Sequence, residues 1–239
     1  MPSHAQGNTP GRTQVSAVFI TGTGTGVGKT FVTAGLIRSL QERKQPVNAM
    51  KPLVSGFDPR APLGSDPAVL LEMLGREVNP DELQAISPWR FRAPLSPDMA
   101  ARAEDKAIDF EAIVAFCNTA ITETRGALLI EGIGGIMVPL DSRHTVLDLI
   151  IALHLPVILV AGSYLGTLSH VLCAQEVISR RALDLCAIVI SETEGTPVPF
   201  EATLATLGNF TKVPLLGLRR HGPSARNGAV FRQLATLIG

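Results

Sequence analysis

Six short runs of Val, Ile, Leu and Ala recur along the chain without polar alternation. They are Ala17–Thr21, Val47–Lys51, Ala127–Glu131, Val157–Gly162, Cys186–Ser191 and Pro214–Leu218. Continuous apolar runs of this length predict strands buried on both faces. Between them lie helical patterns over Lys29–Arg43, Asp66–Leu74, Phe110–Thr122, Thr145–Leu153, Leu168–Arg181 and Phe200–Leu207, with a further helix from Ala225. Strand alternating with helix predicts an α/β fold, a mostly parallel sheet with helices on both faces. No internal repeat or low-complexity linker divides the chain, so residues 17–239 read as one domain. The first sixteen residues are polar, contain Gly and Pro, and read as a mobile tail rather than a secretion signal. Ligands of such folds bind beyond the carboxyl ends of the strands, which is where the chemistry-bearing residues cluster.

Composition narrows the function classes. The chain has 239 residues, 46% hydrophobic and 18% charged, which excludes a disordered chain. Lys+Arg and Asp+Glu both number 21, so there is no basic surplus to drive nucleic-acid binding through bulk charge. No apolar run reaches the roughly 18 residues of a membrane span. The longest candidates, Val146–Leu153 and Pro156–Ala161, are interrupted by Asp148, His154 and Pro156. The three cysteines, Cys117, Cys173 and Cys186, have no C-x-x-C spacing and sit in apolar stretches. They are expected to be buried, reduced thiols, which fits a cytoplasmic protein.

The strongest motif follows the first strand. Gly22-Thr23-Gly24-Thr25-Gly26-Val27-Gly28-Lys29-Thr30 leads directly into an amphipathic helix. Strand, glycine-rich loop and helix in that order are the context of a P-loop. Glycines let the backbone curl so that N–H groups face phosphate oxygens, and the helix N-terminus adds partial positive charge. Thr25, Gly26, Val27 and Gly28 supply that cradle. Lys29 reaches the β- and γ-phosphates, and the Thr30 hydroxyl can ligate Mg²⁺. The loop is one residue longer than the usual form, with five residues between Gly22 and Gly28 instead of four. A nucleoside triphosphate is therefore expected at this loop of a single-domain P-loop fold.

Other residues gather at neighbouring strand ends. The second strand ends in Lys51-Pro52-Leu53-Val54-Ser55-Gly56, where a lysine can hold an anionic group or the migrating phosphoryl. Asp66 follows Ser65 at a helix start, and both helix capping and a Mg²⁺-directed carboxylate are open to it. The third strand ends in Glu131-Gly132-Ile133-Gly134-Gly135. A carboxylate closing an apolar strand ahead of glycines suits a second Mg²⁺-directed acid, because an unpartnered buried Glu is costly.

Together these residues resemble the dethiobiotin synthetase family. The expanded loop is similar to that family's Gly-Thr-x-Thr-x-Val-Gly-Lys-Thr. Lys51–Gly56 resembles its Lys-Pro-x-x-Ser-Gly element, and Ala93–Ala101 its Pro-x-Ser-Pro-x-x-Ala-Ala segment. Glu131–Pro139 resembles its Glu-Gly-x-Gly-Gly run ending in Val-Pro, and Leu165–His170 its Leu-Gly-Thr-x-Asn-His. The elements occur in family order over about Val18 to Leu218.

The resemblance implies an ATP-dependent cyclo-ligase of biotin biosynthesis, joining CO₂ to 7,8-diaminopelargonate through a carbamate and a carbamic–phosphoric anhydride. It implies Lys29 and Lys51 beside the γ-phosphate and carbamate, and Ser55 on the substrate's reacting end. Thr30, Asp66 and Glu131 would hold Mg²⁺ directly or through water. The resemblance also places Gly134 and Ser191 at the nucleotide. It implies a homodimer with the substrate carboxylate at the subunit boundary, near Leu165, Gly166 and Thr167.

Three positions depart from the family pattern: Gly24 replaces a loop Asp, Ser191 an Asn that commonly recognises adenine, and Arg219-Arg220 a Pro. Looser discrimination among ATP, GTP and CTP is expected from the last two. Two other readings use the same loop. A partitioning or septum-positioning ATPase switch usually carries an early loop lysine, where this chain has Thr23 and Gly24, and often ends in a basic amphipathic helix; Ala225–Gly239 carries only Arg226 and Arg232. A cobyrinate-synthase-type amidotransferase needs a glutaminase domain for which the chain has no room, and no cysteine sits at a nucleophile turn.

Overall fold

The structure is a computed structural model that describes residues 16–220 and 224–238. All six expected strands form, as β1 (Ser16–Gly22), β2 (Val47–Met50), β5 (Ala127–Glu131), β6 (Val157–Gly162), β7 (Leu185–Ser191) and β8 (Leu215–Leu218). They make one parallel sheet in the order β2-β5-β1-β6-β7-β8. Every residue of β5 and β6 is buried. Helices cover both faces, so these strands need no polar alternation. The mobile-tail expectation for residues 1–16 lies outside the described residues, except that Ser16 opens β1.

Seven of the nine helices among the described residues match expected ones: α1 (Lys29–Glu42), α2 (Asp66–Met73), α5 (Phe110–Glu123), α6 (Val146–Leu153), α7 (Thr167–Arg180), α8 (Phe200–Gly208) and α9 (Ser224–Leu237). Local chemistry sets several of their starts. Asp109 caps α5 by accepting from the Ala112 N–H at 3.1 Å. Thr145 and Asp148 cap each other's backbone at α6. The excursion between β2 and α5 adds elements too short to carry a period. They are α3 (Pro80–Ile86), α4 (Pro97–Arg102) and a parallel two-strand ribbon of β3 (Leu53–Val54) with β4 (Trp89–Arg90).

Sheet order positions the site. From β1 the chain crosses to the edge strand β2, returns through β5, and then continues on the other side through β6 to β8. The connections therefore leave β1 and its neighbours in opposite directions, which opens a crevice at their carboxyl ends. Pairing of Ile20 with Glu131 and of Gly22 with Val160 brings the loop after β1 level with those after β5 and β6.

One cysteine expectation needs correction. Cys117 is buried in the core and Cys186 partly so, but Cys173 is exposed, because it lies on the outer side of α7. An apolar neighbourhood in sequence does not fix which side of a helix a residue occupies.

Candidate active site

The phosphate loop is held from three sides. Gly28 precedes α1 with φ 98°, in the left-handed region that glycine enters without strain. The Thr23 N–H donates to the Val160 carbonyl and the Ile136 N–H to the Gly22 carbonyl, both at 2.9 Å. Thr23 also bridges to Gly135. A Cβ at Gly135 would come within 3.1 Å of the Thr23 backbone, so a side chain there would push the loop back by a few tenths of an ångström. The Val27 side chain is buried and packs toward Gly22, leaving its backbone to the loop.

Lys29, the first residue of α1, and Lys51, just past the end of β2, converge on this loop. The Lys29 ammonium donates to the Gly24 carbonyl at 2.7 Å and the Gly134 carbonyl at 2.8 Å. Burial, then the charge of Lys51, lowers its pKa to about 8, against the opposing pull of Glu131 and Asp66. Burial alone would lower the pKa of Lys51 too. Glu131 at 2.7 Å and Asp66 at 3.1 Å outweigh burial and hold it above the ordinary lysine value.

Glu131 is fully buried and hydrogen-bonded at both oxygens. Its Oε1 accepts from Lys51 and from the Thr30 hydroxyl at 2.7 Å, and its Oε2 accepts from the Thr33 hydroxyl at 2.7 Å. Asp66 is not the cap of its helix. Ser65 occupies that position, and Asp66 is the first helical residue, turned toward Lys51 and Thr30. Burial would raise the Asp66 pKa, but Lys51 and the Thr30 hydroxyl bring it below the usual carboxylate value.

Thr30, Asp66 and Glu131 thus present one hydroxyl and two carboxylates in one place. Among the described residues no group of three His, Cys, Asp or Glu side chains could hold a metal ion alone. Mg²⁺ does not need one, since it is commonly held by one or two carboxylates together with substrate phosphates. The all-oxygen donor set fits that ion.

Thr30 and Asp66 border a cleft of about 680 Å³; Glu131, fully buried, lies behind it, bonded to Thr30 and Lys51. Thr25, Gly26, Gly28, Lys29, Thr30, Lys51, Ser55, Asp66 and Gly134 line it. Its far wall is Pro94–Pro97, at the start of α4. Ser191 lies at the end of β7 on the opposite side of the loop, where a Cβ on Gly28 would approach its Oγ to 2.8 Å. Leu165, Gly166 and Thr167 lie outside the cleft, at the turn into α7. Leu165 is exposed, and the Thr167 hydroxyl donates to the Gly162 carbonyl at 2.6 Å. Sequence reasoning missed Thr33, whose only signal is its place one helical turn after Lys29. It also left the Pro94–Pro97 wall without a role.

A parallel sheet with its order reversing at β1, a glycine loop entering α1, and paired lysines and carboxylates at the strand ends define a P-loop nucleotide-binding protein. The family model described as an AAA domain matches residues 16–218. The ATP-dependent dethiobiotin synthetase BioD of Acidiphilium cryptum (strain JF-5) is 47% identical over 81% of this chain and 87% of its own. That of Methylobacterium nodulans is 44% identical over 87% and 95%, and that of Caulobacter sp. (strain K31) 44% over 93% and 95%. The chain belongs to the ATP-dependent dethiobiotin synthetase family.

Among solved structures, the septum site-determining protein MinD of Pyrococcus horikoshii OT3, complexed with Mg-ADP, aligns with TM-score 0.55 at 17% identity, covering 92% of this chain and 94% of its own. The cell division ATPase MinD of Pyrococcus furiosus gives 0.53 at 16%, covering 93% and 98%. These likenesses show the fold.

Proposed function

We propose that this chain joins CO₂ to 7,8-diaminopelargonate at the expense of ATP and closes the ring of dethiobiotin, releasing ADP and phosphate. The observation that carries this reading is Lys51, a buried ammonium held between Glu131 and Asp66 across the cleft from the phosphate loop. Simple hydrolysis needs no second cation there. A carboxylated amine does, because it brings another negative charge to the terminal phosphate.

One amine of the substrate adds to CO₂ and loses a proton, giving a carbamate. A carbamate oxygen then takes the γ-phosphoryl group, and ADP leaves. The neighbouring amine attacks the acyl carbon, phosphate departs with the C–O bond electrons, and the amine proton is lost as the ring closes. No side-chain nucleophile takes part, so positioning and charge stabilisation carry the rate. Lys29 faces the phosphates, Lys51 lies between phosphate and carbamate, and Ser55 orients the reacting amines. Thr25, Gly26, Val27 and Gly28 offer backbone N–H groups. Thr30, Asp66 and Glu131 would hold Mg²⁺, which neutralises phosphate charge when bound.

The substrate's distant carboxylate is assigned to a second copy of the chain, at the start of its α7. Supporting this, Leu165 is exposed and Gly166 leaves the first turn of the helix open. The working unit is then a homodimer, which we place in the cytoplasm. Among the described residues no helix is long and apolar enough to cross a membrane.

The test is phosphate release from ATP, with and without diaminopelargonate and bicarbonate. Release that requires both supports the ligase. Release indifferent to both refutes it.

A further inference from the structure

We infer that Phe31 is the surface on which the nucleotide base stacks, and that the base is gripped by its face rather than read at its edge. This rests on the ATP-dependent reading above.

Sheet order fixes the direction of the nucleotide. Lys51, just past β2, and Glu131, the last residue of β5, lie to one side of β1. The terminal phosphate lies toward them, so the nucleoside extends the other way, toward the ends of β7 and β8. That side is roofed by α9, which packs on α1. There Phe31 directly follows Thr30, is 48% exposed, and meets Phe231 of α9 edge to face with ring centroids 5.8 Å apart. Phe231 itself is buried over Gly35, where a Cβ would come within 2.1 Å of its ring. Phe31 is therefore backed by a fixed aromatic and leaves much of its own ring free beside the loop.

The polar groups at the same strand ends are already committed. The Arg219 N–H donates to the Asn227 side-chain oxygen at 3.1 Å, and the Asn227 amide donates back to the Arg219 carbonyl at 2.7 Å. The Arg219 guanidinium bonds to Glu192 and Glu201 and lies 4.9 Å from the centre of the Phe200 ring. The Arg220 N–H donates to Glu192 at 2.9 Å. Among the described residues at these strand ends, the Ser191 hydroxyl, beside Gly28, is left. A hydroxyl donates or accepts as required, so it suits an amino or a carbonyl edge equally. Stacking is likewise tolerant, because every base has a π-face. Phe31 thus gives affinity without selecting the base, a physical basis for the loose discrimination expected from Ser191 and Arg219.

The experiment uses the full-length enzyme with Phe31→Trp, Phe31→Ala and Phe31→Leu. The Phe31→Trp fluorescence should be quenched by ATP, GTP and CTP and unchanged by inorganic tripolyphosphate; the only native tryptophan, Trp89 on β4, packs against Phe116 of α5. Phe31→Ala should raise KM for all three nucleotides about tenfold, with kcat and the KM for diaminopelargonate unchanged. Phe31→Leu, which keeps an apolar contact with Phe231, should show the same rise at wild-type Tm. ATP binding by calorimetry with no Phe31→Trp quenching, or an unchanged KM in both truncations, overturns the inference and leaves the ligase standing. A wild-type preference for ATP above about a hundredfold, equivalent to ~2.7 kcal/mol, overturns it as well. Failure of any nucleotide to bind removes both readings together.

Discussion

Lys51→Gln removes one positive charge from between two carboxylates and keeps a hydrogen-bond donor of similar reach. The Lys51 and Glu131 side chains are 3% and 0% exposed, with 2.7 Å between their charged atoms. Taking one partner from a buried pair costs about 3–5 kcal/mol, because the other charge stays buried. Glu131 keeps the Thr30 and Thr33 hydroxyls, and Asp66, 45% exposed, keeps water, so the lower end, ~3 kcal/mol, applies. For a chain of this size each kcal/mol moves Tm by about 2–4 °C, giving a drop of ~6–12 °C. Nucleotide affinity by calorimetry should stay within about a factor of ten, or ~1.4 kcal/mol, since the phosphate loop is untouched, while turnover is abolished. Lys51→Met with Glu131→Gln removes both charges and should lose less than the sum of the single changes. A Lys51→Gln enzyme with near-normal turnover, or melting within about 2 °C of wild type, under 1 kcal/mol by the same scale, would refute the reasoning.

Thr33→Val keeps the side-chain shape and removes a buried donor. The hydroxyl proton faces the Lys29 carbonyl at 3.0 Å and Glu131 at 2.7 Å; the closer, charged oxygen takes it, so chemical denaturation should show a loss of ~1.5–3 kcal/mol. Gly35→Ala tests packing against propensity. Alanine gains about 0.8–1 kcal/mol in a helix, but overpacking against the buried Phe231 ring should cost about 1–3 kcal/mol, a net loss of up to ~2 kcal/mol, and a raised Tm would contradict the α1–α9 contact. Thiol labelling of the native protein should modify Cys173 first. Burial pushes Cys117 up to about 12, and burial, then Asp184, pushes Cys186 up to about 11; Cys117 should therefore react only on unfolding, and its early labelling under native conditions would contradict the core assignment.

The six main strands were legible because strands with buried faces run nearly continuously apolar, most completely in β5 and β6, and that demand is written locally. The phosphate loop was legible for the same reason: glycine spacing, lysine and threonine are set by the backbone path and by phosphate geometry. Asp66 was not. Capping and metal direction ask for the same residue at the same place, and only the folded chain shows that Ser65 holds the cap position while Asp66 pairs with Lys51. Thr33 was invisible because a threonine on the inner side of a helix carries no signal until Glu131 arrives from β5.

The amino-acid sequence by itself determined the order of the six main strands and seven of the helices, the parallel sheet and the family, because each depends on residues close along the chain. The tertiary structure alone decided which groups meet beside the phosphate loop. Lys51 and Glu131 are 80 residues apart, and the pairing of β2 and β1 with β5 brings them together. The same holds for the meeting of Phe31 with Phe231 and the exposure of Cys173. Charge pairing, ring contact and burial are distances in space, and periodicity along a chain fixes only which side of an element a residue can occupy.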